Sequence, residues 1–122
     1  MIKLSEPSFF GEELLLLKKS LKDRWVASNG KIVRKFEKKI HKFTTGKYNL
    51  GTINCTSALQ LAIRLLNPKK NEEIIVPSIT FIATVNSVTY NNCKPIFLDC
   101  DNHLLLDKKN FFSFLNDNTY FK

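Results

Sequence analysis

The sequence of 122 residues has no long hydrophobic run and few cysteines. Its longest aliphatic run, Leu14 to Leu17, is far shorter than the ~18–20 residues that span a membrane. This run follows Glu12 and Glu13, which is the wrong flank for a secretory signal. The three cysteines form no C-x-x-C pair, so they indicate reduced thiols rather than a disulfide framework or a zinc site. The sequence therefore predicts a cytoplasmic protein without a metal centre.

Glycine and acidic residues are also scarce, with four Gly and eleven Asp and Glu against nineteen Lys and Arg. The glycines form neither G-x-G-x-x-G nor G-x-x-x-x-G-K-[ST], so neither a dinucleotide-binding fold nor a P-loop is supported. Most of the +8 charge lies in residues 1–48, which hold twelve basic and five acidic residues. The run from Lys31 to Lys42 fits one side of an amphipathic helix. We interpret it as a solvated face, with a nucleic-acid surface as the alternative.

Apolar residues recur at helical spacing in the first part of the chain and predict helices at 6–22 and 31–44. Strands and helices then alternate. The strand at 74–77 shows no polar alternation, which is typical of a parallel strand covered on both faces. This order predicts an α/β fold with parallel strands and right-handed crossovers. The predicted elements of the second part are strands 48–54, 74–77 and 95–100 and helices 56–66, 80–91 and 108–117, with helix 56–66 apolar nearly all round and so expected to be buried.

Ligands of such sheets bind at the carboxyl ends of the strands, which directs attention first to residues 54–58. Here a predicted strand leads directly into a helix. The free backbone N–H groups of its first turn, with the hydroxyls of Thr56 and Ser57, form a potential phosphate site at the positive end of the helix dipole. The alternative is that Thr56 or Ser57 only caps the helix.

The second strand end covers residues 77–81. Thr80 is predicted to cap the following helix, and Phe81 to stand in its first turn. The Phe81 ring either lies flat on a planar cofactor or belongs to the core. Ser78 is either a cap or a hydrogen-bond donor to a ligand. Asp99 and Asp101 end the third predicted strand, where Asp is usual in turns, and no catalytic role follows for them.

Several segments that follow each other along the chain carry a family resemblance. They are Asn54 with Thr56–Leu59, Glu73–Thr84 and Pro95–Asp101 and, upstream, Ser5–Pro7, Gly11–Glu12, Trp25–Ser28, Gly30, Val33, Phe36–Glu37 and Thr45–Tyr48. In this order and spacing they resemble the DegT/StrS family of PLP-dependent sugar aminotransferases. The subgroup of nonulosonic (legionaminic-type) acid biosynthesis is the nearest match. The resemblance covers essentially the whole chain.

The resemblance implies the large domain of a fold-type I transferase with pyridoxal 5'-phosphate (PLP) as cofactor. It places the cofactor phosphate at Cys55, Thr56 and Ser57 and stacks the pyridine ring on Phe81. Cys55 stands where the family usually has Gly or Ala. Because a buried Cys behaves as a small apolar residue, we expect this departure to be tolerated.

The resemblance also implies substrate contacts and a homodimer with its sites at the subunit interface. The predicted substrate-binding residues are Trp25, Ser28, Gly30 and Ser78. PLP chemistry needs a lysine that holds the cofactor, and none of the sixteen lysines stands in a matching context. We therefore expect that lysine beyond residue 122. The predicted domains are a helical segment at 1–46 and the start of the PLP-binding α/β domain at 47–122, with an incomplete sheet.

The predicted function is that of an N-terminal fragment of an aminotransferase. The whole enzyme is expected to move an amino group, with glutamate as the expected donor, to a nucleotide-linked keto sugar in cell-surface polysaccharide or nonulosonic acid biosynthesis. The fragment alone is expected to be inactive. Two alternatives are a PLP-dependent sugar dehydratase, in which the family replaces the lysine with histidine, and a stand-alone phosphate-binding α/β regulatory domain.

Overall fold

The computed structural model describes residues 2, 3 and 5–117. The chain divides into two units, Met1–Gly51 and Thr52–Lys122. The predicted domain boundary after residue 46 stays a prediction. The first unit holds α1 (Glu12–Lys22) and α2 (Lys31–Phe43), and the second holds α3 (Cys55–Leu65), β1 (Glu73–Pro77), α4 (Ile82–Tyr90), β2 (Lys94–Leu98) and α5 (Lys108–Asp117).

Helix α1 begins at Glu12 rather than at residue 6, so the predicted first turns are wrong. Gly11, just before the helix, has φ 96°, a left-handed conformation that glycine adopts readily. The Glu13 carboxylate accepts hydrogen bonds from the N–H groups of Gly11, at 2.9 Å, and Phe10, at 3.2 Å. Bonds from the N–H groups of Glu13 itself, Phe10 and Gly11 lower the pKa of the Glu13 carboxyl. This carboxylate therefore marks the start of the helix.

The segment after α2 folds back along that helix instead of forming a strand. Nδ1 of His41 lies 2.8 Å from the carbonyl oxygen of Gly46. The N–H of Gly51 donates to Oε1 of Glu37 at 2.9 Å. The strand predicted at 48–54 is wrong, because the Glu37 carboxylate binds this N–H and no described strand pairs with the segment.

The described residues form a parallel two-stranded sheet in the second unit. Strands β1 and β2 pair from Glu73 opposite Lys94 to Pro77 opposite Leu98, and α4 connects them. The continuous apolar pattern of both segments had predicted this parallel pairing, which is confirmed. With no strand at 48–54, the sheet has two described strands rather than the expected three.

The core of the second unit lies between the sheet and α4. Val76, Val88 and Cys93 are buried, and the half-buried Ile63, Ile74 and Val85 pack against them. Burial, and secondarily the charge of Glu72, raises the pKa of the Cys93 thiol, so this cysteine is a core residue in its neutral form.

Helix α3 packs against α4 along one side, and none of its residues is buried. The expectation that it is buried on most sides is wrong. Leu65 and the following Leu66 are 77% and 80% exposed, since no described element covers them. Helix α4, by contrast, buries Ala83, Ser87 and Val88. The two helices therefore differ in how firmly side-chain burial fixes them.

Candidate functional site

The start of α3 leaves hydrogen-bond donors open. Asn54 caps the helix, because its side-chain oxygen accepts from the N–H of Ser57 at 2.8 Å. The first bond of the helix runs from the N–H of Ala58 to the carbonyl of Asn54 at 3.2 Å. No described residue accepts from the N–H of Cys55 or Thr56, or bonds to the hydroxyls of Thr56 and Ser57. The structure thus presents two N–H groups and two hydroxyls at one helix end.

The electrostatics of this end favour an anion. The first turn of α3 holds no acidic residue, while Arg64 stands in the last turn, where a cation complements the helix dipole. Cys55 is exposed, and Thr56 and Ser57 are half-buried, so all three are open to a ligand. Because Asn54 is the cap, Thr56 and Ser57 do not serve as caps, and the simpler interpretation of the two hydroxyls is wrong.

Sequence reasoning included Asn54 in this segment but did not assign it the cap. The available signal was its position directly before the apolar helix, where Asn is among the most favoured cap residues. It also missed Ser87 of α4, whose hydroxyl lies 3.2 Å from the carbonyl oxygen of Thr56. A serine inside an apolar helix gives no local indication of a partner 31 positions away.

The carboxyl ends of β1 and β2 lie side by side. The N–H of Ser78 donates to the carbonyl of Leu98 at 2.8 Å, which continues the strand pairing by one residue. The hydroxyl of Ser78 lies 4.0 Å from Sγ of Cys100, and this Sγ lies 4.0 Å from the carbonyl of Ile79. Ser78 is exposed and does not cap α4. Its hydroxyl is thus available to a ligand.

The aspartates after β2 have structural partners. Oδ1 of Asp101 accepts from the N–H groups of His103, at 2.9 Å, and Leu105, at 3.0 Å. The carbonyl of Asp99 accepts from the N–H of Asp107 at 3.0 Å. The Asp101 side chain therefore holds a turn, as its type suggested.

Phe81 precedes α4 and is 79% exposed. It occupies the cap position with an extended backbone rather than the predicted first turn, because α4 begins at Ile82. The Thr80 hydroxyl bonds to the hydroxyl of Thr84 at 3.0 Å and not to a backbone N–H, so the predicted cap at Thr80 is also wrong. The exposed ring excludes the interpretation of Phe81 as a core residue of the described chain.

The remaining predicted site residues belong to the first unit. A Cβ added to the buried Gly30 would lie only 2.9 Å from Cδ1 of Trp25, so the indole packs directly on this glycine. Trp25 keeps 58% of its surface exposed, and Ser28 is exposed in the turn between them. The structure therefore brings Trp25 and Gly30 into contact around one short loop.

Residues 2, 3 and 5–117 contain no group of three or more His, Cys, Asp or Glu side chains placed to hold a metal ion. Within the same ranges, no helix combines the length and the hydropathy that crossing a bilayer requires.

The fold and the α3 end define the chain as a parallel α/β segment with open hydrogen-bond donors at a helix N-terminus. Comparison with known proteins then identifies the family. Residues 8–120 match the model of the DegT/DnrJ/EryC1/StrS aminotransferase family. The chain belongs to this family, as its sequence resemblance had indicated.

A named relative and one solved structure agree with this assignment, and a more distant structure shares the fold. GDP-perosamine synthase of Escherichia coli O157:H7 is 37% identical over 101 residues, which are 83% of this chain and 28% of that protein. The aminotransferase of Psychrobacter cryohalolentis is 31% identical with a TM-score of 0.72, over 80% of this chain and 25% of that chain. Spr1654 of Streptococcus pneumoniae, solved in PLP and PMP forms, has a TM-score of 0.84 at 22% identity, over 92% of this chain and 29% of that chain in the PLP form. The chain spans less than a third of the length of these relatives.

The cofactor predicted from the sequence, pyridoxal phosphate, is confirmed for this family, and so is the fold class with its incomplete parallel sheet. The residues present fit the cofactor. Its phosphate needs several donors and no carboxylate nearby, and the α3 end offers two open N–H groups and two hydroxyls with no acidic residue in its first turn. Its ring needs an exposed flat surface, which Phe81 offers.

Proposed function

We propose that the chain is part of a PLP-dependent aminotransferase that acts on a nucleotide-linked keto sugar in cell-surface polysaccharide or nonulosonic acid biosynthesis. The family match and the name of the E. coli relative, GDP-perosamine synthase, support a nucleotide sugar as the substrate. Glutamate is the proposed amino donor, the cytoplasm the proposed location and a homodimer the proposed assembly. The observation that carries the proposal is the pair of open N–H groups at the start of α3.

In this proposal each predicted residue has a stated task. The N–H groups of Cys55 and Thr56, with the hydroxyls of Thr56 and Ser57, bind the cofactor phosphate at the positive end of α3. Phe81 stacks on the pyridine ring, and the Ser78 hydroxyl donates to the substrate. When bound, the cofactor supplies the electron sink for moving an amino group.

The loop from Trp25 to Gly30 is proposed to contact the substrate. Trp25 offers an exposed apolar surface and an N–H donor, and its packing on Gly30 fixes the indole. Ser28 adds an exposed hydroxyl to the same loop. Because none of the sixteen lysines stands in a context that matches the cofactor lysine of the family, we expect this chain alone to bind phosphate but not to turn over substrate.

The test removes one N–H while leaving the helix intact. Proline is favoured at the first position of a helix, where Cys55 stands, and the preceding residue, Asn54, is already extended with φ −159° and ψ 171°. Cys55→Pro should therefore preserve folding but weaken the binding of inorganic phosphate and of PLP about tenfold, because one charge-assisted hydrogen bond is lost. Titration calorimetry with the 122-residue chain measures both affinities.

Cys55→Ala is the matched control, because it removes the same thiol and keeps the N–H. Its affinities should lie within about twofold of the original. Equal phosphate affinity in Cys55→Pro and Cys55→Ala would contradict the proposed site. A urea titration of each variant shows whether the chain is folded where binding is measured.

A further inference from the structure

Ser87 is the polar residue that the described part of the chain buries completely, at 0% exposure. Its hydroxyl oxygen lies 2.7 Å from the carbonyl of Ala83 and 3.2 Å from the carbonyl of Thr56. The first contact is within α4. The second crosses to α3 and ends on a residue of the proposed phosphate site. The hydroxyl carries one hydrogen, so the two carbonyls share it, and the contact to Ala83 is the shorter one. The contact to Thr56 is the one that links the two helices.

Asn91 makes a second crossing about one turn further along. Its Nδ2 donates to the carbonyl of Gln60 in α3 at 3.0 Å and to the carbonyl of Ser87 in α4 at 2.9 Å. An amide nitrogen carries two hydrogens, so each carbonyl receives its own. The side chain is partly buried, which shields both bonds from competing water.

The two crossings define how the helices are aligned. Ser87 with Thr56 and Asn91 with Gln60 are both 31 positions apart, so α3 and α4 run parallel in one axial register. In this register Thr56 lies level with Ser87. Cys55, the first residue of α3, is therefore level with a position about one helical turn after Ile82, the first residue of α4. Apolar packing contributes to the register of α3 only through half-buried residues such as Ile63, because none of its residues is fully buried.

We propose that Ser87 and Asn91 are positioning residues that fix the register of α3 and so hold the N–H groups of Cys55 and Thr56 in place for a phosphate. This role rests on the proposed function of that helix end. Neither residue contacts the ligand in this proposal. They act through the backbone carbonyls of α3, which move with the N–H groups at its start.

The test compares deletions of the crossing bonds with matched deletions that leave them intact. Ser87→Ala removes the hydroxyl, and Asn91→Asp places a carboxylate against two carbonyl oxygens. Each should weaken the binding of inorganic phosphate about fivefold, the factor that the net contribution of one hydrogen bond represents. Amide hydrogen exchange of Ser57 and Ala58, whose N–H groups bond to Asn54, should become faster in both variants when it is measured by NMR on the 122-residue chain.

The two control variants change Thr89, which lies in α4, and Asn92, which lies just after its C-terminal end. Thr89→Val deletes a hydroxyl that bonds only within α4, to the carbonyl of Asn86 at 3.0 Å. Asn92→Asp adds the same charge as Asn91→Asp at the next residue, whose backbone N–H donates to the carbonyl of Thr89 and whose carbonyl accepts from the N–H of Asn71. Both controls should bind phosphate within about twofold of the original chain. Asn91 is less buried than Ser87, so the test does not depend on the folding of a single variant.

The outcomes separate this role from the proposed function. Saturable phosphate binding that is equally strong in Ser87→Ala, Asn91→Asp and the controls overturns the positioning role and leaves the proposed function standing. Lower urea midpoints with unchanged phosphate affinity and exchange also overturn it, because they indicate a structural role only. An original chain that shows no saturable response to phosphate overturns the proposed function, and the positioning role with it.

Discussion

Helices α3 and α4 lie side by side, but their N-termini differ in the chemical groups that they expose. The start of α3 is polar: Asn54 caps it, and the N–H groups of Cys55 and Thr56 stay open. The start of α4 has no side-chain cap, and its surface is apolar, with Phe81 79% and Ile82 62% exposed. One end suits an anion, and the other suits a flat ring.

Burial is distributed in the opposite way. Helix α4 buries Ala83, Ser87 and Val88, whereas α3 buries none of its residues. In the proposed positioning role, the helix with the open donors is held by its neighbour through the contacts of Ser87 and Asn91. The proposed binding end and the helix with buried residues are therefore different elements, and variants at each helix start test this difference.

The largest effect is expected at Asn54. Asn54→Asp keeps the cap, because a carboxylate also accepts from the N–H of Ser57 and suits the helix dipole. It also places a negative charge beside the open N–H groups, so phosphate affinity should fall about tenfold at pH 7 while stability is maintained. Calorimetry and urea unfolding measure the two quantities separately.

Asn54→Ala serves as the control, because it is expected to lower stability rather than to repel the phosphate. Loss of the cap should cost about 1 kcal/mol of stability without adding a repulsive charge. If Asn54→Asp binds phosphate as well as the original chain, the start of α3 is not an anion site. The difference in polarity between the starts of α3 and α4 would then have no role in binding.

A smaller effect is expected at Phe81, where the ring and the phosphate can be separated. Phe81→Leu should weaken PLP binding about three- to tenfold, because ring stacking contributes about 0.5–1.5 kcal/mol. The affinity for inorganic phosphate, which has no ring, should not change. Since Phe81 is largely exposed, stability should stay within about 0.5 kcal/mol.

Ile82→Ala is the matched control, since it shortens the neighbouring exposed side chain. We expect it to leave both affinities unchanged. A parallel loss of phosphate and PLP affinity in Phe81→Leu would mean that this residue acts on the shape of the site and not on the ring.

The sequence predicted the features that depend on local pattern and missed those that depend on distant partners. The continuous apolar runs of β1 and β2 predicted a parallel pair, because such strands are covered on both faces. Residues 48–54 have strand-like composition, but the Glu37 carboxylate binds the N–H of Gly51, which no local pattern reveals. The helix end at Thr56 was found from its position after an expected strand, whereas its alignment by Ser87 depends on a contact 31 residues away.

The smallest effect concerns α1, whose start differs from that of α3 in the chemistry of its acceptor. Glu13 uses a carboxylate, and Asn54 uses an amide that does not titrate. Backbone hydrogen bonds lower the pKa of Glu13 in the folded chain. The contribution of its carboxylate to stability is therefore present above the unfolded pKa of about 4.3 and is lost as the pH falls through the folded value.

Amide exchange at Phe10 and Gly11 should therefore accelerate on acidification, after correction for the intrinsic pH dependence of exchange, and exchange at Ser57 should not. Glu13→Gln should abolish the pH dependence at α1, whereas Glu12→Gln, at a neighbouring position that makes no such bond, should preserve it. An equal response of both helix starts to acid would show that the carboxylate and the amide do not distinguish them.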